Sequence, residues 1–131
     1  MKTVHHKTCV YSIGYHIVFC TKYRRKVLTP QIDGRLKAVI AEMANEKGFE
    51  VANIETDLDH VHLFASAPPH ITISDLVKWI KGITARKLLL DPFLKEKMGG
   101  HLWNPSYYVG TVGDMNADVI QRYIENQKQK D

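Results

Sequence analysis

The sequence predicts an α+β fold: a ferredoxin-like β-α-β-β-α-β antiparallel sheet with an additional C-terminal helix. Three observations carry the prediction. Two stretches repeat apolar residues at helical spacing, one through Ile32, Leu36, Val39, Ile40, Met43 and Ala44, the other through Ile73, Leu76, Val77, Ile80 and Ile83. Between them lie two β-rich runs joined by the tight connection Asp57-Leu58-Asp59. A further β-rich run precedes the first helix and another follows the second. The length of 131 residues suits one domain, spanning 1–131, with a core that needs no staples.

The elements follow in order. Residues 9–22 read as a long first strand through Cys9, Val10, Tyr11, Ile13, Tyr15, Ile17, Val18, Phe19 and Cys20, with His16 inside it. A basic run over 22–26 follows as a loop or strand end. Thr29 is placed to N-cap the first helix, with Pro30 in its first turn and Gly48 closing it. Phe49 to Asp57 is the second strand, forming a hairpin with a strand from His60 to about Ser66. Ala67-Pro68-Pro69-His70 is a loop, and the second helix starts near Thr72 or Ser74 and ends at Asp91-Pro92. Residues 93–105 are a mixed segment. Tyr107 to Val112 is the fourth strand, and Gly113-Asp114-Met115-Asn116 opens a last helix reaching about Lys128. In this arrangement two helices cover one face of the sheet, the strand from His60 is central, and the other face is open to a ligand or a further element.

Composition bounds the function. No run approaches the ~18 apolar residues of a membrane helix, and the N-terminus lacks the apolar block of a signal peptide. Cys9 and Cys20 have no CxxC spacing and read as two reduced cysteines, so a cytoplasmic protein with no membrane partner is expected. The net charge of +4 and pI of about 9.1 permit nucleic-acid binding without demanding it. Distribution says more: Lys22-Tyr23-Arg24-Arg25-Lys26 puts four cations and one aromatic in five residues, and Lys78, Lys81, Arg86 and Lys87 form a second basic group.

The chemistry concentrates in Asp59-His60-Val61-His62-Leu63-Phe64. On a strand, alternate side chains share a face, so apolar Val61 and Leu63 turned to the core leave both imidazoles on the opposite side. Two neutral imidazoles are half of a divalent metal site, although such a pair alone is more often two surface histidines. The last helix offers a complement. Tyr123 and Gln127 lie four apart on its stripe of Met115, Val119, Ile120 and Ile124, hence on one face. Gln127 would give an amide oxygen as a third, hard ligand, leaving positions for a phosphate oxygen, as Lewis-acid catalysis requires. Tyr123 would attack phosphorus, losing its phenolic proton as it does so, because free tyrosine has a pKa of about 10. One phosphodiester replaces another, so the strand can be rejoined with no nucleotide cofactor. A tyrosine on an apolar stripe is, by itself, more often a core residue.

In these residues the sequence resembles the single-tyrosine HUH transposases of small insertion sequences, which move as single-stranded DNA. The match covers nearly the whole chain. It includes Asp59-His60-Val61-His62, the Tyr123-to-Gln127 spacing, Tyr15-His16-Ile17-Val18-Phe19 with Lys22-Tyr23-Arg24-Arg25, Lys81-Gly82 with Ala85-Arg86, and Leu102-Trp103-Asn104-Pro105-Ser106-Tyr107. The resemblance implies a homodimer that binds imperfect hairpins at element ends and cuts one strand. It leaves the tyrosine on the 5′ phosphate, frees a 3′-OH and requires Mg²⁺ or Mn²⁺. It assigns His60, His62 and Gln127 as metal ligands and Tyr123 as nucleophile, and it allows the tyrosine helix of one protomer to complete the histidine pair of the other.

For DNA contact, Lys22, Arg24 and Arg25 can neutralise phosphates, Tyr23 can stack on an unpaired base, and Arg86 and Lys87 can grip a hairpin. A solvated loop end accounts for the first run equally well. His5, His6, His16, His70 and His101 carry an ordinary structural reading, and Trp103 reads as core. Two alternatives stand beside the transposase: a repeat-associated relative that no longer mobilises itself, and a non-catalytic single-strand nucleic-acid-binding module. The relative tends to carry extra terminal segments, so the short chain favours the mobile-element enzyme.

Overall fold

The structure is a computed structural model that describes residues 4–6, 9–11, 14–111 and 124–125. Its principal sheet has four antiparallel strands: β3 (Gly14–Cys20), β4 (Glu50–Asp57), β5 (His60–Ser66) and β6 (Tyr108–Thr111), in the spatial order β4-β5-β3-β6. Helix α1 (Pro30–Lys47) joins β3 to β4, and α2 (Ile73–Leu88) lies between β5 and β6. This is the ferredoxin-like order that the sequence predicts, with β5 interior.

Local chemistry sets the helix limits. The Thr29 side chain accepts from Ile32 N at 3.4 Å, and Gly48, at φ 82°, ends α1 in the left-handed conformation. Thr72 caps α2 in the same way, accepting from Asp75 N at 3.1 Å. Both helices contain a mid-helix glycine, Gly34 and Gly82, each costing about 1 kcal/mol relative to alanine. Burial outweighs that cost, because a fully buried aliphatic side chain contributes roughly 1.5–3 kcal/mol. Ile32, Leu36, Ile40 and Met43 of α1 and Leu76, Val77, Ile80 and Leu88 of α2 are buried in one cluster with Ile17 and Phe19 of β3 and Val61, Leu63 and Ala65 of β5.

Two readings of the sequence are corrected. The long first strand over 9–22 is two separate elements. Cys9–Tyr11 is β2, paired antiparallel with β1 (Val4–His6) in a small sheet of its own, while the principal sheet takes only Gly14–Cys20. β propensity favours a strand but does not select its partner. The mixed segment after residue 92 contains a third helix, α3 (Pro92–Met98), capped by Asp91, whose carboxylate accepts from Phe93 N at 2.9 Å and Leu94 N at 3.3 Å. Pro92 therefore opens a helix as well as following one. Only Leu94 and Met98 mark its buried side, too few for a periodic signal.

The remainder of that segment runs along the end of the sheet. Lys22 N donates to Leu102 O and Asn104 N to Cys20 O, both at 2.9 Å. Trp103 is buried as predicted, meeting Phe19 edge-on with centroids 4.7 Å apart and donating from Nε1 to Thr84 Oγ1 at 3.0 Å. Lys81 is used internally: its Nζ donates to Asn104 O at 2.6 Å and Ser106 O at 3.1 Å, and burial pushes its pKa down to about 8. The predicted last helix, with Tyr123 and Gln127, falls outside the described residues except for Ile124 and Glu125, which are helical. Among the described residues no helix is long and apolar enough to cross a membrane.

Candidate active site

Strand alternation builds the site. Val61, Leu63 and Ala65 enter the core, so His60, His62 and Phe64 face the opposite side of β5. Directly opposed residues share a face in an antiparallel pair. On one side His60 therefore lies beside Cys20, His62 beside Val18 and Phe64 beside His16. On the other side His60 lies beside Asp57 and His62 beside Glu55. Ile124 is buried on this same face, packed with Val18, Cys20 and Tyr108. The open face of the sheet thus holds both predicted histidines and receives the residue that follows Tyr123 in sequence.

Each histidine engages a neighbour through Nδ1. His60 Nδ1–H donates to Asp59 Oδ1 at 2.7 Å, and Asp59 is itself 5% exposed. His62 Nδ1 lies 3.1 Å from His16 Nε2. The two imidazole centroids are 5.1 Å apart. A ring nitrogen held this way fixes the tautomer and aims the other nitrogen, which is how metal-binding histidines are oriented. Burial, then the neighbouring His60 and His16, push the His62 pKa down to about 4, with Glu55 pulling the other way. The imidazole is neutral at pH 7, so its lone pair is available to a cation without displacing a proton.

That shift gives a pH prediction for the metal-free protein. Unfolded histidine titrates near 6.5, whereas folded His62 stays neutral down to about 4. Between these values the unfolded state binds more protons, so stability is full above about pH 6.5 and declines as pH falls toward 4. His16, also lowered by burial, adds in the same direction. Denaturant midpoints measured from pH 7 to 4 should fall for the parent protein and fall less for His62→Gln. Parallel curves would show that His62 does not titrate as described.

His16, given only a structural role by the sequence, is the site residue that sequence reasoning missed. It is 3% exposed, stacks on Phe64 with centroids 4.3 Å apart and planes 5° from parallel, and has no partner for Nδ1 among the described residues. A buried histidine on the face of β3 opposite Ile17 and Phe19 was the available signal. Asp59 was noted only as part of a motif, and its carboxylate proves to link His60 to Arg24. Arg24 Nη2 and Nε lie 2.9 and 3.0 Å from Asp59 Oδ2, and Arg24 Nη1 donates to Ile124 O at 3.2 Å.

The other predicted DNA contacts sit elsewhere. Tyr23 is 51% exposed, with Lys22 Nζ 5.5 Å and Arg25 Cζ 5.3 Å from its ring centroid. Arg25 Nη1 also donates to Lys97 O. Arg86 is exposed in the last turn of α2, and Lys87 Nζ lies 3.8 Å from Glu42.

The family model described as "Transposase IS200 like" matches residues 9–127 of this chain, nearly its full length. The chain belongs to this family. IS200-like transposases cut and transfer DNA strands, so the histidine face belongs to a transposase. Among relatives, the ISDra2 transposase TnpA of Deinococcus radiodurans is 44% identical over 124 residues, covering 93% of this chain and 89% of its own. The transposase for insertion sequence element IS200 of Salmonella typhimurium is 32% identical over 120 residues, covering 89% of this chain and 78% of its own. A crystal structure of a Deinococcus radiodurans protein described as a transposase superposes with a TM-score of 0.85 at 41% identity, covering 97% of this chain and 98% of that one. A REP-associated tyrosine transposase bound to a REP hairpin shares the fold, with a TM-score of 0.56 at 14% identity.

Proposed function

We propose that this IS200-like transposase cleaves and rejoins single-stranded DNA at hairpin-bearing element ends through a 5′-phosphotyrosine intermediate, with a divalent metal ion at His60 and His62. The observation that carries the reading is the pair of imidazoles on the open sheet face, each held through Nδ1. This leaves Nε2 as the nitrogen each offers to a ligand. For His62 to bind through Nε2, its Nδ1–H must donate to His16 Nε2, which places the His16 proton on Nδ1. Among the described residues no three His, Cys, Asp or Glu side chains are grouped to hold a metal. That fits a set completed by an amide, and Gln127 is the residue proposed for it.

Mg²⁺ or Mn²⁺ bound there would supply Lewis-acid stabilisation of the charge that builds on the phosphate during attack. The chain supplies the rest. The Tyr123 oxygen forms a bond to phosphorus as the bond to the 3′ oxygen breaks. The phenolic proton leaves to solvent or a base, and the departing 3′ oxygen takes up a proton to become a hydroxyl. Rejoining runs the same exchange with a new 3′-OH, so no nucleotide is consumed. The enzyme acts as a homodimer on this reading. The experiment is direct: the protein with Mg²⁺ and hairpin-bearing single-stranded DNA should form an adduct that survives denaturation. A protein that binds this DNA and never forms the adduct would instead be a non-catalytic nucleic-acid-binding module. The 44% identity to an insertion-sequence transposase favours the mobile-element enzyme over a repeat-associated relative.

Tyr23 is proposed as a base platform, because an exposed ring between two cations offers both stacking and phosphate neutralisation. Stacking on an aromatic is worth about 1–3 kcal/mol per base, so Tyr23→Ala should weaken single-strand binding by roughly 5-fold to 150-fold. Fluorescence anisotropy with a labelled oligonucleotide measures this. Unchanged affinity would remove Tyr23 from the DNA path.

A further inference from the structure

The basic run after β3 is divided in its use, and the division points to a role that a phosphate contact does not explain. Tyr23 and Arg24 both have positive φ, 59° and 50°, in a short helical turn over Lys22–Arg24. Two consecutive residues with a Cβ rarely adopt this region, and strain of that kind persists only where the surroundings fix it. The surroundings do fix it. Thr21 is fully buried, and its N donates to Asp59 O at 2.9 Å while its Oγ1 donates to Arg25 O at 2.7 Å. Arg24 N closes the turn onto Thr21 O at 3.0 Å. The result leaves Tyr23 outside and carries Arg24 back toward the sheet.

There the guanidinium meets two different acceptors. Nε and Nη2 take Asp59 Oδ2, the oxygen that His60 does not use, while Nη1 takes the backbone carbonyl of Ile124. We propose that Arg24 is a positioning residue that couples the two halves of the site, tying the segment that carries Tyr123 to the carboxylate that orients His60. The proposal rests on the reading of Tyr123 as nucleophile and His60 as ligand.

The residue type is specific to this task. A guanidinium is a planar fork whose separate N–H groups can reach a carboxylate and a carbonyl at once; a lysine ammonium is a single point charge on a flexible stem. The apolar contact of Ile124 with Val18, Cys20 and Tyr108 seats the segment, and Arg24 adds direction to that seat. A main-chain acceptor also makes the link independent of the side chain at 124. Substitution of Ile124 loosens the apolar seat and leaves the hydrogen bond available.

Arg24→Lys and Arg24→Ala test the coupling, with three readouts on the full-length protein. Hydrogen exchange of the peptide spanning Ile124 should accelerate in both variants, because the segment loses its polar anchor. The single-turnover rate of adduct formation, at saturating hairpin DNA and Mg²⁺, should fall by about 10-fold to 100-fold, the range for partners that orient a site. Hairpin affinity should stay near that of the parent, which separates positioning from DNA contact. Arg24→Lys keeps the charge beside Asp59, so it answers the question if Arg24→Ala does not fold. Parent-like exchange at the Ile124 peptide in Arg24→Lys would overturn the coupling. A loss confined to hairpin affinity would overturn it too and make Arg24 a phosphate contact. Adduct formation persisting in Tyr123→Phe would instead remove the nucleophile assignment and leave the exchange result as evidence of docking alone.

Discussion

Tyr123→Phe is expected to abolish the covalent protein–DNA adduct while leaving hairpin binding in place. The substitution removes one oxygen, the atom proposed to bond to phosphorus, and keeps the aromatic ring. No other group replaces a lost covalent nucleophile at comparable rate, so the loss should be roughly 10⁴-fold or greater. Denaturing gel electrophoresis of a 5′- and 3′-labelled hairpin substrate with Mg²⁺ reads it directly. The parent protein should retain the 3′ label, on the fragment whose 5′ phosphate it holds, and release the 5′-labelled fragment with a free 3′-OH. Anisotropy on the same DNA should give parent-like affinity for the variant. An adduct that survives in Tyr123→Phe would show that a different residue attacks. The position next in sequence, Ile124, is buried against Val18, Cys20 and Tyr108, which gives the tyrosine segment a place on the histidine face.

The second large effect is expected at the histidines. His60→Ala and His62→Ala should each eliminate metal-dependent cleavage. The size follows by comparison. Groups that merely orient a metal-binding histidine cost about 10-fold to 100-fold in affinity or activity when removed, and a ligand cannot matter less than the group that orients it. Each alanine should therefore cost at least ~10-fold in Mn²⁺ affinity, measured by calorimetry or by the paramagnetic effect of Mn²⁺ on water relaxation. Cleavage should fall with it. Excess metal should restore part of the activity only if two of the three proposed ligands still hold the ion. Parent-like Mn²⁺ affinity in both variants would remove the metal from His60 and His62.

Much of this was legible in the sequence because its causes are local. Helical spacing, an N-cap threonine before a proline and a glycine after the last turn are properties of neighbouring residues, and they marked α1 and α2. Alternation with a period of two settled which side of β5 carries His60 and His62 once Val61 and Leu63 were taken as core. The strand order followed from the element order. What escaped was what lacks a local signature. A seven-residue helix with two buried positions has no period to detect. The split of the first strand depends on which partner each half finds, and β propensity is silent on partners.

The site divides along the same line. The sequence by itself determined that two imidazoles share a strand face, that a tyrosine and a glutamine lie four positions apart in the chain, and that cations cluster beyond β3. Tertiary structure decided which of those cations reaches the carboxylate beside His60. Arg24 and Asp59 are 35 residues apart, His16 and His62 are 46 apart, and Arg24 and Ile124 are 100 apart. Such pairs are set by strand register and by a turn held in an unfavourable conformation, and a shift of one residue would turn each side chain to the other face. Residue type can therefore suggest that Arg24 binds something anionic. Only the folded chain shows that the anion is the carboxylate beside His60.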